Sequence, residues 1–131
     1  MPANEIRKSA LVVAGDEKLF RKEISSVLKK AGFDVLAAPN GPAALDFYGD
    51  EGRSIDLVVV DTATVKMQPA EIASRLEEIS PRVLFLSDVE TDDAPSQPPG
   101  HVFRVLSKPF RRARLLGQVL EIMDQPLAIG A

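Results

Sequence analysis

The chain has 131 residues, of which 45% are hydrophobic and 27% charged, and its formal net charge is −3. This length and composition are typical of one globular domain, and the acidic balance argues against nucleic-acid binding. The lack of cysteine excludes disulfides, thiolate metal sites and thiol nucleophiles.

Two further features of the sequence bear on location. No apolar run is long enough to span a bilayer. Residues 1–9 contain no apolar segment or cleavage signature of a secretory signal. We therefore expect a cytoplasmic protein that does not bind membranes.

Short apolar segments alternate with helical patterns along the chain and are predicted to be strands. They are residues 11–14, 33–38, 56–61, 83–86 and 102–106. A first helix, which ends at Gly32, follows the first strand. Its predicted buried stripe falls on one helical face and consists of Phe20, Ile24, Val27, Leu28 and Ala31.

The remaining connections predict three more helices and one loop. Asn40-Gly41-Pro42 begins a short second helix, and Pro69 begins a third. Residues 88–101 contain three prolines, which disfavour a fourth helix, so a proline-rich loop is predicted there. The last helix carries apolar residues at i, i+3, i+4 and i+7, and its predicted buried stripe is Leu116, Val119, Leu120 and Met123.

This alternation predicts an α/β fold, with a five-stranded parallel sheet covered on both faces and right-handed crossovers. The third strand has an unbroken apolar run at residues 57–60, which is typical of a central strand buried on both faces. A doubly wound sheet of order 2-1-3-4-5 is a common solution for five strands. Its ligand site lies at the carboxyl ends of strands one and three.

Polar side chains follow the predicted carboxyl ends of four strands. They are Asp16, Asp61, Ser87 and Lys108. Two carboxylates suit Mg²⁺, which takes one or two protein carboxylates and keeps several waters. A carboxylate oxygen can also attack a phosphoryl group, while a metal, an ammonium and a hydroxyl stabilise the transferring oxygens.

The order of these motifs resembles a response regulator receiver domain of two-component signalling. The matching segments are residues 11–17, 31–35, 37–45 and 56–61 and Lys108-Pro109-Phe110. The resemblance implies a flavodoxin-like receiver at residues 11–124, with a lead-in at 1–10 and a tail at 125–131. Residues 80–87 are most similar to receivers at the C-terminus of hybrid histidine kinases.

The resemblance also implies roles for individual residues. Asp61 would be the phosphoacceptor. Lys108 would pair with the phosphoryl group or with Asp61, Ser87 would move to bond the phosphoryl group, and a cis peptide bond would follow the lysine. Mg²⁺ would be bound by Asp16, Asp61 and the backbone carbonyl of Ala63. The donor would be a histidine kinase or a histidine phosphotransfer domain. Such a module catalyses only its own phosphorylation and hydrolysis, so it is not an enzyme in the usual sense.

The chain also departs from the family's pattern. Gly15 replaces one of two acidic residues, which implies a weakened Mg²⁺ site. Asp88 replaces a small residue, and its charge would repel phosphate unless it turned outward. Val105 replaces an aromatic residue. These departures keep open an alternative, a pseudo-receiver that binds partners without phosphorylation, and the chain is either a stand-alone receiver or part of a longer protein.

Overall fold

The computed structural model describes residues 8–14, 18–38, 55–62, 80–88 and 100–126. The strands in these ranges are β1 (Ser9–Val13), β2 (Asp34–Ala38), β3 (Leu57–Asp61), β4 (Arg82–Ser87) and β5 (Val102–Ser107). The helices are α1 (Lys18–Lys30) and α2 (Arg112–Asp124).

The five predicted strands are confirmed, with small shifts at their ends. The largest shift is at β1, which begins at Ser9 instead of residue 11. The predicted second and third helices lie outside the described residues. So does most of the predicted loop at residues 88–101, of which only the two ends are described.

The strands form one parallel sheet of order β2-β1-β3-β4-β5, which confirms the predicted doubly wound order. The order reverses between β1 and β3, which pair directly with each other. Because all strands run in the same direction, their carboxyl ends lie along one edge of the sheet. No helix in the described part of the chain is both long and apolar enough to cross a membrane.

Successive residues of β3 enter two different hydrophobic clusters. Leu57 and Val59 pack in the cluster that contains the buried residues of α1 and α2. Val58 and Val60 pack in the cluster on the opposite face. All four are fully buried, which confirms the prediction of a central strand covered on both faces.

The predicted stripe of α1 is confirmed. Ile24, Val27 and Leu28 are buried, and Phe20 and Ala31 are partly buried against the same cluster. The helix ends before Gly32, whose φ of 97° lies in the left-handed region that favours glycine.

The predicted stripe of α2 was wrong in its register. The buried residues are Leu115, Val119 and Ile122, whereas Leu120 is 54% exposed. Leu116 and Met123 lie on the flank and are partly buried. Both sets have helical spacing, so periodicity alone does not distinguish them. The residues that pack against the sheet are Leu115, Val119 and Ile122.

Candidate functional site

Asp61 is the last residue of β3, where the apolar run gives way to a carboxylate. It pairs in register with Leu86 of β4, and its side chain is only 8% exposed. Within the described ranges it is the one buried charged residue. Burying a carboxylate costs free energy unless it is paired or hydrogen-bonded, so its partners are informative.

Lys108 provides the main partner. It follows β5 directly, and its backbone N–H donates to the carbonyl of Ser87 at 2.8 Å. Its ammonium Nζ donates to Asp61 Oδ1, also at 2.8 Å. The peptide bond to Pro109 is cis, as the resemblance implied. The two residues that end or follow β3 and β5 therefore meet above β4, which lies between these strands.

The same ammonium has two further neighbours. Asp88 Oδ1 lies 3.0 Å from Nζ, in a second ion pair. The Phe20 ring of α1 lies on another side, with its centroid 4.9 Å from Nζ, within the range of a cation–π contact. The rings of Phe20 and Phe110 are 6.1 Å apart and support each other. Lys108 is thus held by two carboxylates and an aromatic face.

These neighbours act on the pKa of Lys108 in opposite directions. Burial lowers the pKa, because it disfavours the charged ammonium. Hydrogen bonds and charges from Asp61 and Asp88 raise it, and together they outweigh burial, so the pKa lies above its ordinary value. The ammonium is therefore fully charged at neutral pH.

Two hydroxyl residues stand at the same edge. Ser87 ends β4, is half-buried and pairs with Ser107 of β5. Thr62 follows Asp61, and its Oγ1 donates to the carbonyl of Leu86 at 3.0 Å. The chain that leaves β3 is thereby tied to the end of β4.

The structure brings together part of the predicted site. Asp61 and Lys108 are in direct contact, and Ser87 ends the neighbouring strand. Asp16 and Ala63, the other predicted Mg²⁺ ligands, lie outside the described residues. No group of three His, Cys, Asp or Glu within the described ranges is placed to hold a metal ion. The carboxylate of Asp61 still has the oxygen chemistry that Mg²⁺ prefers.

Sequence reasoning missed two contacts of Lys108. Asp88 was expected to repel phosphate or turn outward. Its side chain is 58% exposed, yet it still reaches the ammonium. The signal was its position, since Asp88 and Lys108 each follow the end of one of two paired strands. The helical pattern places Phe20 only in the core, and nothing in the sequence indicates its contact with the lysine.

Comparison with known proteins places this geometry among signalling proteins. The response regulator receiver protein CpdR of Brucella abortus (strain 2308) is 27% identical over 121 residues, which cover 86% of this chain and 95% of CpdR. A response regulator from Thermotoga maritima superposes with a TM-score of 0.70 at 26% identity, covering 92% of this chain and 100% of the other.

A third similarity supports the fold alone, because its sequence identity is only 21%. It is to the CheX–CheY–BeF3–Mg²⁺ complex from Borrelia burgdorferi, with a TM-score of 0.69 and 90% of both chains covered. A model of the response regulator receiver domain matches residues 11–120. The match covers most of the chain and includes Asp61, Ser87 and Lys108. This chain therefore belongs to the family of response regulator receiver domains.

Proposed function

We propose that this chain accepts a phosphoryl group on Asp61 as the receiver module of a two-component phosphorelay. The observation that carries the proposal is the 2.8 Å contact between Lys108 Nζ and the buried Asp61 carboxylate. The pair combines an oxygen nucleophile with a fixed positive charge at the ligand-binding edge of the sheet. Family membership supports it, since receiver domains are generally signalling modules rather than classical enzymes.

The proposed reaction forms one bond and breaks one. A carboxylate oxygen of Asp61 bonds to phosphorus while the bond from phosphorus to the donor's histidine nitrogen breaks. The electron pair stays with that nitrogen, which then takes a proton. The Lys108 ammonium neutralises charge on the phosphoryl oxygens, and the Ser87 hydroxyl donates a hydrogen bond to one of them. The chain would thus catalyse only its own phosphorylation and hydrolysis.

Mg²⁺ is the proposed cofactor. It would be held by the carboxylates of Asp16 and Asp61 and the backbone carbonyl of Ala63, an oxygen set that this ion prefers. When bound, it supplies positive charge to the phosphoryl oxygens. Because Gly15 stands where the family has a second acid, we expect weaker Mg²⁺ binding than in receivers that carry both.

The proposed donor is a histidine kinase or a histidine phosphotransfer domain, and the proposed output is contact with another protein. The CheX–CheY–BeF3–Mg²⁺ complex is a precedent for a protein partner and for Mg²⁺ on this fold. The net charge of −3 favours a protein over a nucleic acid as the target of this domain. We place the module in the cytoplasm, where a kinase would meet it.

Acetyl phosphate tests the proposal directly. Incubation with acetyl phosphate and Mg²⁺ should add the mass of one phosphoryl group, as measured by intact-protein mass spectrometry. Asp61→Asn should abolish the gain. Asp124→Asn, which removes an equal charge at the exposed end of α2, should retain it. If the wild-type chain gains no mass from acetyl phosphate or from a phosphorylated histidine kinase, the proposal fails.

The alternative is a pseudo-receiver that binds its partner without phosphorylation. The ion pair between Asp88 and Lys108 favours it, because a second anion already occupies the lysine. A Mg²⁺ titration followed by amide NMR separates the two functions. A saturable response at millimolar Mg²⁺ supports the phosphoacceptor. No response, together with partner binding that Asp61→Asn leaves unchanged, supports the pseudo-receiver.

A further inference from the structure

We propose that Asp88 competes with the phosphoryl group for Lys108, so that this exposed acid determines how tightly the site holds a phosphoryl group. This inference rests on the proposed function and adds that Asp88 weakens the binding of the phosphoryl group. Asp88 directly follows Ser87, and its carboxylate lies where the anion to be bound would meet the lysine.

The ammonium of Lys108 has three N–H donors. Asp61 Oδ1 accepts at 2.8 Å and Asp88 Oδ1 lies at 3.0 Å, which accounts for two of them. The Phe20 ring covers another side, with its centroid 4.9 Å away. Two of the three donors are thus already engaged by carboxylates, and a phosphoryl group, which presents several oxygens, competes with them for this ammonium.

The two carboxylates differ in how easily they leave. Asp61 is 8% exposed and itself carries the incoming group, so it stays in the site. Asp88 is 58% exposed, and water solvates its carboxylate once the contact breaks. Exposed ion pairs contribute little net stability, so the release of Asp88 costs little. Asp88 is thus the group that a phosphoryl group displaces.

The backbone keeps Asp88 close even after it is displaced. Ser87 and Ser107 are paired in register, and the Lys108 N–H donates to the Ser87 carbonyl at 2.8 Å. The residues that follow these serines, Asp88 and Lys108, therefore remain neighbours. A carboxylate at this distance repels the negative phosphoryl oxygens as well as competing for the lysine. Both effects weaken phosphoryl binding.

Beryllofluoride, a non-covalent mimic of the phosphoryl group, measures the competition without a kinase. It is titrated with Mg²⁺ into the wild-type chain and into Asp88→Asn, with amide NMR as the readout. We expect Asp88→Asn to bind about three- to tenfold more tightly, the range for removing an exposed ion pair and a like charge together. The amide spectrum before titration confirms that the variant is folded.

Two control variants separate position from charge. Asp88→Glu keeps an anion beside Lys108 and should bind within about twofold of wild type, because a single methylene leaves the competition in place. Asp124→Asn changes the net charge equally but lies in the last turn of α2, where Arg82 at the opposite edge of the sheet donates to the carbonyls of Ile122 and Gln125, and should also match wild type.

Tighter binding by Asp88→Asn alone supports the competition, including the case where wild type does not bind. Equal binding by wild type and Asp88→Asn overturns the competition while the proposed function stands. If neither protein binds, the proposed function fails, and the competition fails with it.

Discussion

Lys108 offsets part of the free-energy cost of burying the Asp61 carboxylate at the end of β3. Its ammonium contacts Asp61, Asp88 and the Phe20 ring, and it lies only 22% exposed. Removing one partner of a buried pair leaves the other charge less well compensated, which costs more than the pair itself contributes. Lys108 therefore has a structural role in the unphosphorylated chain as well as a chemical role in the proposed reaction.

The raised pKa of Lys108 predicts how stability depends on pH. The stabilisation is fully present below the unfolded-state pKa of about 10.4 and is lost as pH rises through the higher folded-state pKa. Lys108→Met should be less stable than wild type by about 1–3 kcal/mol near neutral pH, since it removes the ammonium that contacts the buried Asp61 carboxylate. This difference should shrink above about pH 10.4.

Urea denaturation of both proteins across this pH range measures the difference in the free energy of unfolding. Using the difference cancels the titration of the other lysines and of tyrosine. A difference that stayed constant into the alkaline range would show that the ammonium's charge does not stabilise the fold.

Single residues of the site differ in how far the sequence predicts them. Asp61 ends one predicted strand and Lys108 follows another, and a parallel sheet places such ends at one edge, so their meeting could be predicted. The Asp88 contact depends on the rotamer of an exposed side chain. The contact with Phe20 depends on the angle at which α1 crosses the sheet. Neither contact can be predicted from the spacing of residues in the sequence.

At the scale of elements, buried strands were the most predictable part of the chain. β3 and β4 are continuous apolar runs because both faces are covered. The start of β1 was misjudged because Ser9 is polar. It pairs with Asp34 of β2 and is also held by Asp56, whose Oδ2 accepts from the Ser9 N–H and whose own N–H donates to the Ser9 carbonyl. Such contacts are invisible to a hydrophobic pattern.

The corrected face of α2 predicts a contrast between two leucines. Leu115 is 1% exposed, so Leu115→Ala should cost about 2–5 kcal/mol through lost burial and the cavity left behind. Leu120 is 54% exposed, and Leu120→Ala should change stability by less than about 0.5 kcal/mol. Chemical denaturation of both variants makes the comparison. Equal losses of stability in the two variants would support the buried stripe predicted from the sequence, which contains Leu120.

At the scale of the whole molecule, the two edges of the sheet have different roles. The carboxyl edge carries the candidate site. At the opposite edge, Arg82 of β4 donates to the carbonyls of Ile122 and Gln125, both at 3.0 Å. Arg104 donates to Oε1 of Gln125 at 2.7 Å. These arginines provide hydrogen bonds and positive charge at the C-terminus of α2, which has no basic residue in its own last turn.

Arg82→Met should therefore loosen the end of α2 without touching the site. Losing two charge-assisted hydrogen bonds should cost about 1–3 kcal/mol and speed amide exchange in the last turn of the helix. Arg114→Met removes an equal charge from an exposed position on the same helix and serves as the control. Beryllofluoride binding should be unchanged in both variants. Unchanged amide exchange in Arg82→Met would show that the hydrogen bonds from β4 do not stabilise the end of α2.

Because the residues of β3 alternate between two hydrophobic clusters, Asp61 at its end is sensitive to the packing on both faces of the sheet. Val59 packs into one hydrophobic cluster and Val60 into the other, and Asp61 follows both. A substitution that leaves a cavity in either cluster would therefore act close to the same carboxylate. Substitutions in either cluster can shift the buried carboxylate of Asp61, so variants that lose the proposed phosphoryl acceptance should map to core positions on both faces of the sheet as well as to the site.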